Sequence, residues 1–213
     1  MTLSGHHISS SDLATKLHQR ASGGRVLCAI AGAPASGKST LADDLADRLN
    51  RSEPGLAAVL PMDGFHYDNL YLEPQGMLAR KGAPETFDVD GLAHVLARLR
   101  TDDGSTVAVP LFDRSIEIAR AGARVIPASV RVVIAEGNYL LLDRDPWRAL
   151  EPLFDVTALV PVPEAELRRR LEMRWVRYGL SAAEMRAKID GNDLPNGRLI
   201  QEESRPPDFI MQP

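Results

Sequence analysis

The stretch Gly32 to Ser39, GAPASGKS, carries a lysine, a hydroxyl and two glycines at the spacing G-x-x-x-x-G-K-[ST], between the apolar run VLCAIAG and an amphipathic segment. This is the P-loop pattern. Its glycines let the backbone of Gly32, Ala33, Pro34, Ala35, Ser36 and Gly37, with Thr40 just beyond, wrap a β-phosphate in N–H groups. Lys38 then reaches the β and γ phosphates, and the Ser39 hydroxyl is placed for Mg²⁺. The plain alternative is a glycine-rich turn with a solvated lysine, and the flanking strand and helix patterns weigh against it. The loop implies a nucleotide and leaves the reaction open. There is no N-K-x-D tetrapeptide for guanine, and the only LSGG-like letters, at Leu3, precede the loop.

Two acids end apolar runs: Asp63 follows LAAVLPM, and Glu136 follows VRVVIA. In a doubly wound sheet, ligands collect beyond the carboxyl ends of the strands. Asp63, Glu136 and the P-loop can therefore converge on one phosphate. Either acid taken alone could also be a helix cap or a solvated turn residue. A third cluster lies in PEAELRRRLEMRWVRYG, where Pro163 and first-turn acids favour a helix. Arg170, Arg174 and Arg177 recur there at spacings of four and three, on one face. The alternative is a solvated basic face paired with Glu166 or Glu172.

Short apolar runs alternating with helical patterns predict an α/β fold of three layers, with a mostly parallel doubly wound sheet and a helical lid. The strand candidates start at Val26, Leu56, Ser105, Val130 and Val156, and four of the five are nearly continuous in apolar residues, as doubly covered strands should be. Helices are predicted at about Asp12 to Ala21, Lys38 to Asn50, Asp90 to Arg100, Glu164 to Tyr178 and Ala182 to Asp190. Phe65 to Asp88 is rich in Gly, Pro and charge, and some 20 residues without clear structure signal a functional loop. DRSIEIARAGARVI, from Asp113 to Ile126, reads as a hairpin flap.

The chain has 213 residues, enough for one domain over 1–213, with residues 1–11 read as a flexible tail. Its 29 acids and 25 bases give a formal charge of −4, which offers no general field for nucleic acid or anionic lipid. The single cysteine, Cys28, lies in an apolar run and suits a reducing cytoplasm. No signal peptide or spanning run is visible in the sequence. His6 and His7 lack nearby ligand candidates for a metal. A homo-oligomer stays open.

The succession GAPASGKST, MDGFHYDN, RKGAPETFD, PLFDR and EGNYLLL resembles the phosphoribulokinase/uridine kinase family of P-loop kinases, which includes the prokaryotic pantothenate kinases. The similarity runs from about Arg25 to Met211. Within the family the chain is most similar to the bacterial branch labelled fructose transport system kinases or nucleoside kinase-like proteins. The resemblance implies that Asp63 receives the acceptor's hydroxyl proton near the metal and that Glu136 helps hold Mg²⁺. It also implies that lid arginines cover the phosphates, ranked Arg170, then Arg174, then Arg177. Asn192 and Asn196, in GNDLPNG, correspond to a turn bordering adenine in the pantothenate kinase branch, and read equally as caps of a polar turn.

Departures from the family bear on the acceptor. Gly82 stands where uridine kinases place a ribose-binding aspartate, and Phe112 and Glu117 stand where they use a tyrosine and a histidine around the pyrimidine. Pantothenate kinases use Y-S-H where this chain has Phe112, Asp113 and Arg114. A site without its hydrogen-bonding groups loses discrimination strongly. His66, Tyr67, Asn69, Arg80, Lys81, Phe112, Asp113 and Arg114 are left as substrate-binding candidates. The expectation is an ATP- and Mg²⁺-dependent kinase acting on a small-molecule acceptor of sugar, polyol or sugar-acid type. A nucleoside or pantothenate kinase, or a regulatory ATP-binding or NTPase module, are the alternatives.

Overall fold

A computed structural model describes residues 5–211. Runs rich in Val, Ile, Leu and Ala make its central sheet. These are β2 (Val26–Gly32), β3 (Ala57–Pro61), β6 (Val132–Gly137) and β7 (Val156–Val160), joined at one edge by the short strands β1 (His6–Ile8) and β8 (Phe209–Met211). The order is β1-β8-β7-β2-β6-β3 and every pairing is parallel. β2 and β6 are buried at every position, because helices cover both faces. One face packs on α1 (Ser10–Ala21) and α2 (Lys38–Ser52) through Leu13, Leu17, Leu45 and Leu49. The other packs on α4 (Val89–Thr101) through Leu92, Leu96 and Leu99, with Tyr139 and Trp147 filling the same core.

Two expectations change here. Residues 6–8 are strand β1, in register with β8, so the part of the expected tail from His6 onward belongs to the sheet edge; residues 1–4 lie outside the described residues. The run from Ser105 does not join the parallel sheet. As β4 (Val107–Asp113) it pairs antiparallel with β5 (Ile118–Ile126), forming the expected flap. The register shifts between Val109 and Leu111, at Pro110, a residue that cannot donate to a ladder and so suits a bulge at the edge of a ribbon.

The chain from Phe65 to Asp88 is a loop of short turns around α3 (Asn69–Leu72). After β7 come α5 (Glu164–Arg177) and α6 (Ala182–Lys188). A single π-helical turn, Ile189–Asp193, then leads into α7 (Leu194–Glu203). α7 falls where sequence reading expects a polar turn. Pro195 sits in its first helical turn, and Gly197 faces Ala33 and Leu167.

Candidate active site

The P-loop joins β2 to α2. Ala35 (φ 64°) and Gly37 (φ 96°) take left-handed conformations there, a strain concentrated at the loop's turn. Glu136 is the register partner of Ile30 on β2 and of Pro61 on β3, so the sheet brings the P-loop strand, Glu136 and the strand leading to Asp63 side by side. Ser39 Oγ donates to Glu136 Oε2 at 2.9 Å. Two glycines adjacent to the acids make this closeness feasible. A Cβ at Gly137 would collide with the side chain of Met62, and one at Gly64 with the carbonyl of Pro110. The glycines of D-G-F and E-G are thus packing residues that let the two acidic turns and the flap meet.

The charged groups perturb one another. Burial pushes the Glu136 carboxyl above the usual range; Lys38 opposes that rise and Asp63 adds to it. Burial likewise lowers the Lys38 ammonium, against the pull of Glu136 and Asp63. Burial would also raise Asp63, yet the charges of Arg114, Lys38 and Arg174, with that of His66 whenever it is protonated, outweigh it and hold the carboxyl below its ordinary value. Asp63 forms an ion pair with Arg114, from the flap. His66 Nδ1 donates to the Asp63 carbonyl at 2.7 Å, its ring packs on Phe87 and Phe112, and burial lowers its pKa, so it is a neutral imidazole.

Pro34, Lys38, Asp63, His66, Lys81, Phe112, Arg114 and Arg174 line one cleft, and Asn192 and Asn196 line it too. The lid arginines diverge. Arg174 reaches this cleft, where burial and the neighbouring Arg114 lower its pKa. Arg170 instead binds Glu166 at 2.7 Å and donates to the Ser36 carbonyl at 3.0 Å, bracing the outside of the P-loop. Arg174 and Arg177 border an opening beside Ser39. In this arrangement Arg174, and not Arg170, lines the cleft.

Of the acceptor candidates, Asn69 accepts a hydrogen bond from Lys81 Nζ at 2.6 Å and so contributes through that lysine. Arg80 pairs with Glu85 at 3.3 Å on the surface, Asp113 is engaged by Ser115 and Arg120, and Tyr67 stacks on Tyr71; none of the three lines the cleft. Asn192 and Asn196 do not lie in a polar turn. The π turn and α7 carry them, Asn192 donates to the Lys81 carbonyl at 3.1 Å, and Asn196 donates to Asn192 at 3.2 Å. They belong with the 81–82 loop.

Sequence reading missed Asn138, Trp175, Lys188 and Asp193 in the lining. Asn138, with its Oδ1 buried and unpartnered, directly follows the E-G pair, and that adjacency was the available signal. The other three sit on helices whose inward faces only the packing of α5 against the π turn defines.

The comparisons agree with this geometry. No family model matches the chain. A Schizosaccharomyces pombe protein named provisionally as a uridine kinase is 34% identical over 195 residues, covering 88% of this chain and 83% of that protein. A Lachancea thermotolerans protein named ATP-dependent kinase YFH7 is 30% identical over 197 residues, covering 73% of this chain and 56% of that longer protein. The crystal structure of a Silicibacter protein, provisionally named a fructose transport system kinase, superposes with a TM-score of 0.88 at 44% identity over 97% of this chain and all of that one. With the P-loop, the D-G-F and E-G strand ends and the all-parallel sheet, these similarities give one conclusion: the chain belongs to the phosphoribulokinase/uridine kinase family of P-loop kinases.

Proposed function

We propose that this protein transfers the γ-phosphoryl group of ATP, with Mg²⁺, to a hydroxyl of a small polar metabolite of sugar, polyol or sugar-acid type. The observation that carries the reading is the convergence of Lys38, the Ser39–Glu136 pair, Asp63 and Arg174 on one cleft. ATP is supported by the name of the Lachancea relative. Mg²⁺ fits the donors: Ser39 and Glu136 offer oxygens already in contact, and burial raises the Glu136 pKa, a penalty that a bound cation would offset. Among the described residues no group of three or more His, Cys, Asp or Glu is arranged as a metal cage, so the protein's share of the coordination is small, as suits a cation carried largely by phosphates.

In a loose transition state, positioning and charge neutralisation carry most of the catalysis. When bound, Mg²⁺ supplies part of that neutralisation. Lys38 covers the β and γ oxygens, and Arg174 meets the charge that develops as the phosphoryl leaves. Asp63, kept ionised by its cationic neighbours, aligns the acceptor hydroxyl and takes its proton. His66, neutral and fixed to the Asp63 carbonyl, orients that turn. Asn138, with an unpartnered oxygen, and Asn192, tied to the 81–82 loop, form the acceptor wall.

The test is ADP release in the presence of nucleosides, sugars, polyols, sugar acids and pantothenate, with Lys38→Ala as control. Slow release with ATP alone should rise many-fold with one class of alcohol, and the variant should lose ATP binding while its circular dichroism is unchanged. Fast release indifferent to every acceptor would replace the kinase by a hydrolase.

A further inference from the structure

The far wall of the cleft is built from two lysines held by neutral partners. Lys81 Nζ donates to Asn69 Oδ1 at 2.6 Å and to the Glu117 carbonyl at 2.8 Å, and lies 5.1 Å from the centre of the Phe112 ring. Lys188 Nζ lies 4.7 Å from the centre of the Trp175 ring, whose Nε1 is fixed by Asp193 at 2.8 Å. Among the described residues neither ammonium has a carboxylate within ion-pair distance, although most arginines on the surface do. Amide, carbonyl and aromatic faces orient a cation without neutralising it. Of the acids in the lining, Asp63 is engaged by Arg114 and Asp193 by the Trp175 indole, while Glu117 keeps its carboxylate beyond ion-pair distance of Lys81. Burial lowers the Lys81 pKa; the charges of Glu117 and Asp68 oppose that lowering, and the smaller effect of Lys188 adds to it.

Lys81 stands before Gly82, whose carbonyl is tied to Tyr139, and Lys188 closes α6 just before the π turn that carries Asn192. Both sit on the elements of the proposed acceptor side rather than on the P-loop that carries Lys38, and Lys188 shares the Trp175 ring with Arg174, whose guanidinium lies 5.0 Å from its centre. We infer, resting on the kinase reading, that the acceptor is anionic: a polyhydroxy compound whose carboxylate or phosphate is held between Lys81 and Lys188 while its hydroxyl faces Asp63. A neutral sugar or polyol would leave two like charges facing each other across the site. An anion would bind both, as a charge-assisted contact.

Isothermal titration of the full chain, saturated with Mg²⁺ and AMP-PNP so that the P-loop is filled, tests this directly. The probes are matched sets: glycerol, D-glycerate and glycerol 3-phosphate; then sorbitol, gluconate and sorbitol 6-phosphate. At least one anion should bind, its neutral counterpart should not, and the tighter arm tells carboxylate from phosphate. In Lys81→Gln/Lys188→Gln the affinity of that anion should fall about 10- to 100-fold, as expected for lost hydrogen bonds to a charged group. Lys188→Arg should keep most of it, and AMP-PNP affinity should be unchanged in both. Neutral probes binding as well as the anions, no anion binding, or binding indifferent to the double substitution would each overturn the inference. The same probes with ATP separate the two readings. Anion binding without ADP release removes the kinase and leaves the anion cradle. ADP release driven only by neutral acceptors keeps the kinase and removes the cradle.

Discussion

The two walls of the cleft are made differently. The nucleotide wall consists of strand ends and backbone: the P-loop after β2, Glu136 at the end of β6 and Asp63 just past β3, all fixed by pairing between buried strands. The acceptor wall consists of side chains on loops, the flap and the π turn, drawn from residues as far apart as Lys81 and Asn192 and joined by single hydrogen bonds. On the function proposed above, chemistry common to phosphoryl transfer falls on the strand ends and selectivity on the part joined by few contacts. Such loops can vary while the scaffold holds.

If this division is right, the largest losses come from the charge meeting the transferred phosphoryl. Arg174→Ala should lower kcat by about 10³- to 10⁵-fold, the range for a transition-state arginine. ATP KM should change little, since the contact tightens as charge develops. Arg170→Ala should act otherwise. It removes a brace between Glu166 and the Ser36 carbonyl, so a raised ATP KM should dominate. If Arg170→Ala gives the larger fall in kcat, the order expected from sequence stands and the positions of Arg170 and Arg174 given above are not those of the reacting enzyme.

Asp63→Asn keeps the size of the side chain and removes the proton acceptor, and kcat should fall about 10²- to 10⁴-fold with ATP binding intact. The pH profile sharpens this. Asp63 is held below its ordinary value and stays ionised well into acid, whereas Glu136 is raised and is the first of the two to protonate as pH falls. The acidic limb of kcat/KM should therefore belong to Glu136. Protonation there weakens metal binding, so raising Mg²⁺ should move the limb to lower pH. The limb should persist in Asp63→Asn. A limb insensitive to Mg²⁺, and lost in that variant, would hand the titration to Asp63.

The same division explains what could be read from the residues. The P-loop, the strand ends and their acids are local in sequence, and a run such as VRVVIAEG displays both its burial and its terminus. Arg114 was legible only as a spare cation, because its pairing with Asp63 depends on where the flap folds. β4 looked like a core strand; Pro110 and the alternation after it were the signals for a ribbon. α7 was hidden behind Asn, Pro and Gly, residues that ordinarily mark a turn. Here Pro195 occupies a permitted first-turn position and Gly197 continues the helix against Ala33 and Leu167. Lys188 carries no local sign of function at all, since its site exists only once α6 and the π turn are placed over the 81–82 loop.

Several contacts cross between the two walls, among them the Asp63–Arg114 pair and a bond to the 81–82 loop. Tyr139, fully buried just past β6, donates to the Gly82 carbonyl at 2.6 Å and so ties the acceptor loop to the sheet. Tyr139→Phe removes the hydroxyl and leaves the ring packed on Phe87 and Trp147. Stability should fall by about 1–2 kcal/mol, the cost of one hydrogen bond and a buried carbonyl left without it. If the acceptor wall depends on the sheet for its position, acceptor KM should also rise a few-fold, while ATP KM stays at the parental value. Because Gly82 takes a left-handed φ of 100° beside Lys81, slack at this carbonyl would pass directly to the ammonium. A variant with the expected loss of stability and an unchanged acceptor KM would mean that the loop is positioned from the other side, through Asn192, and that the two walls are set independently.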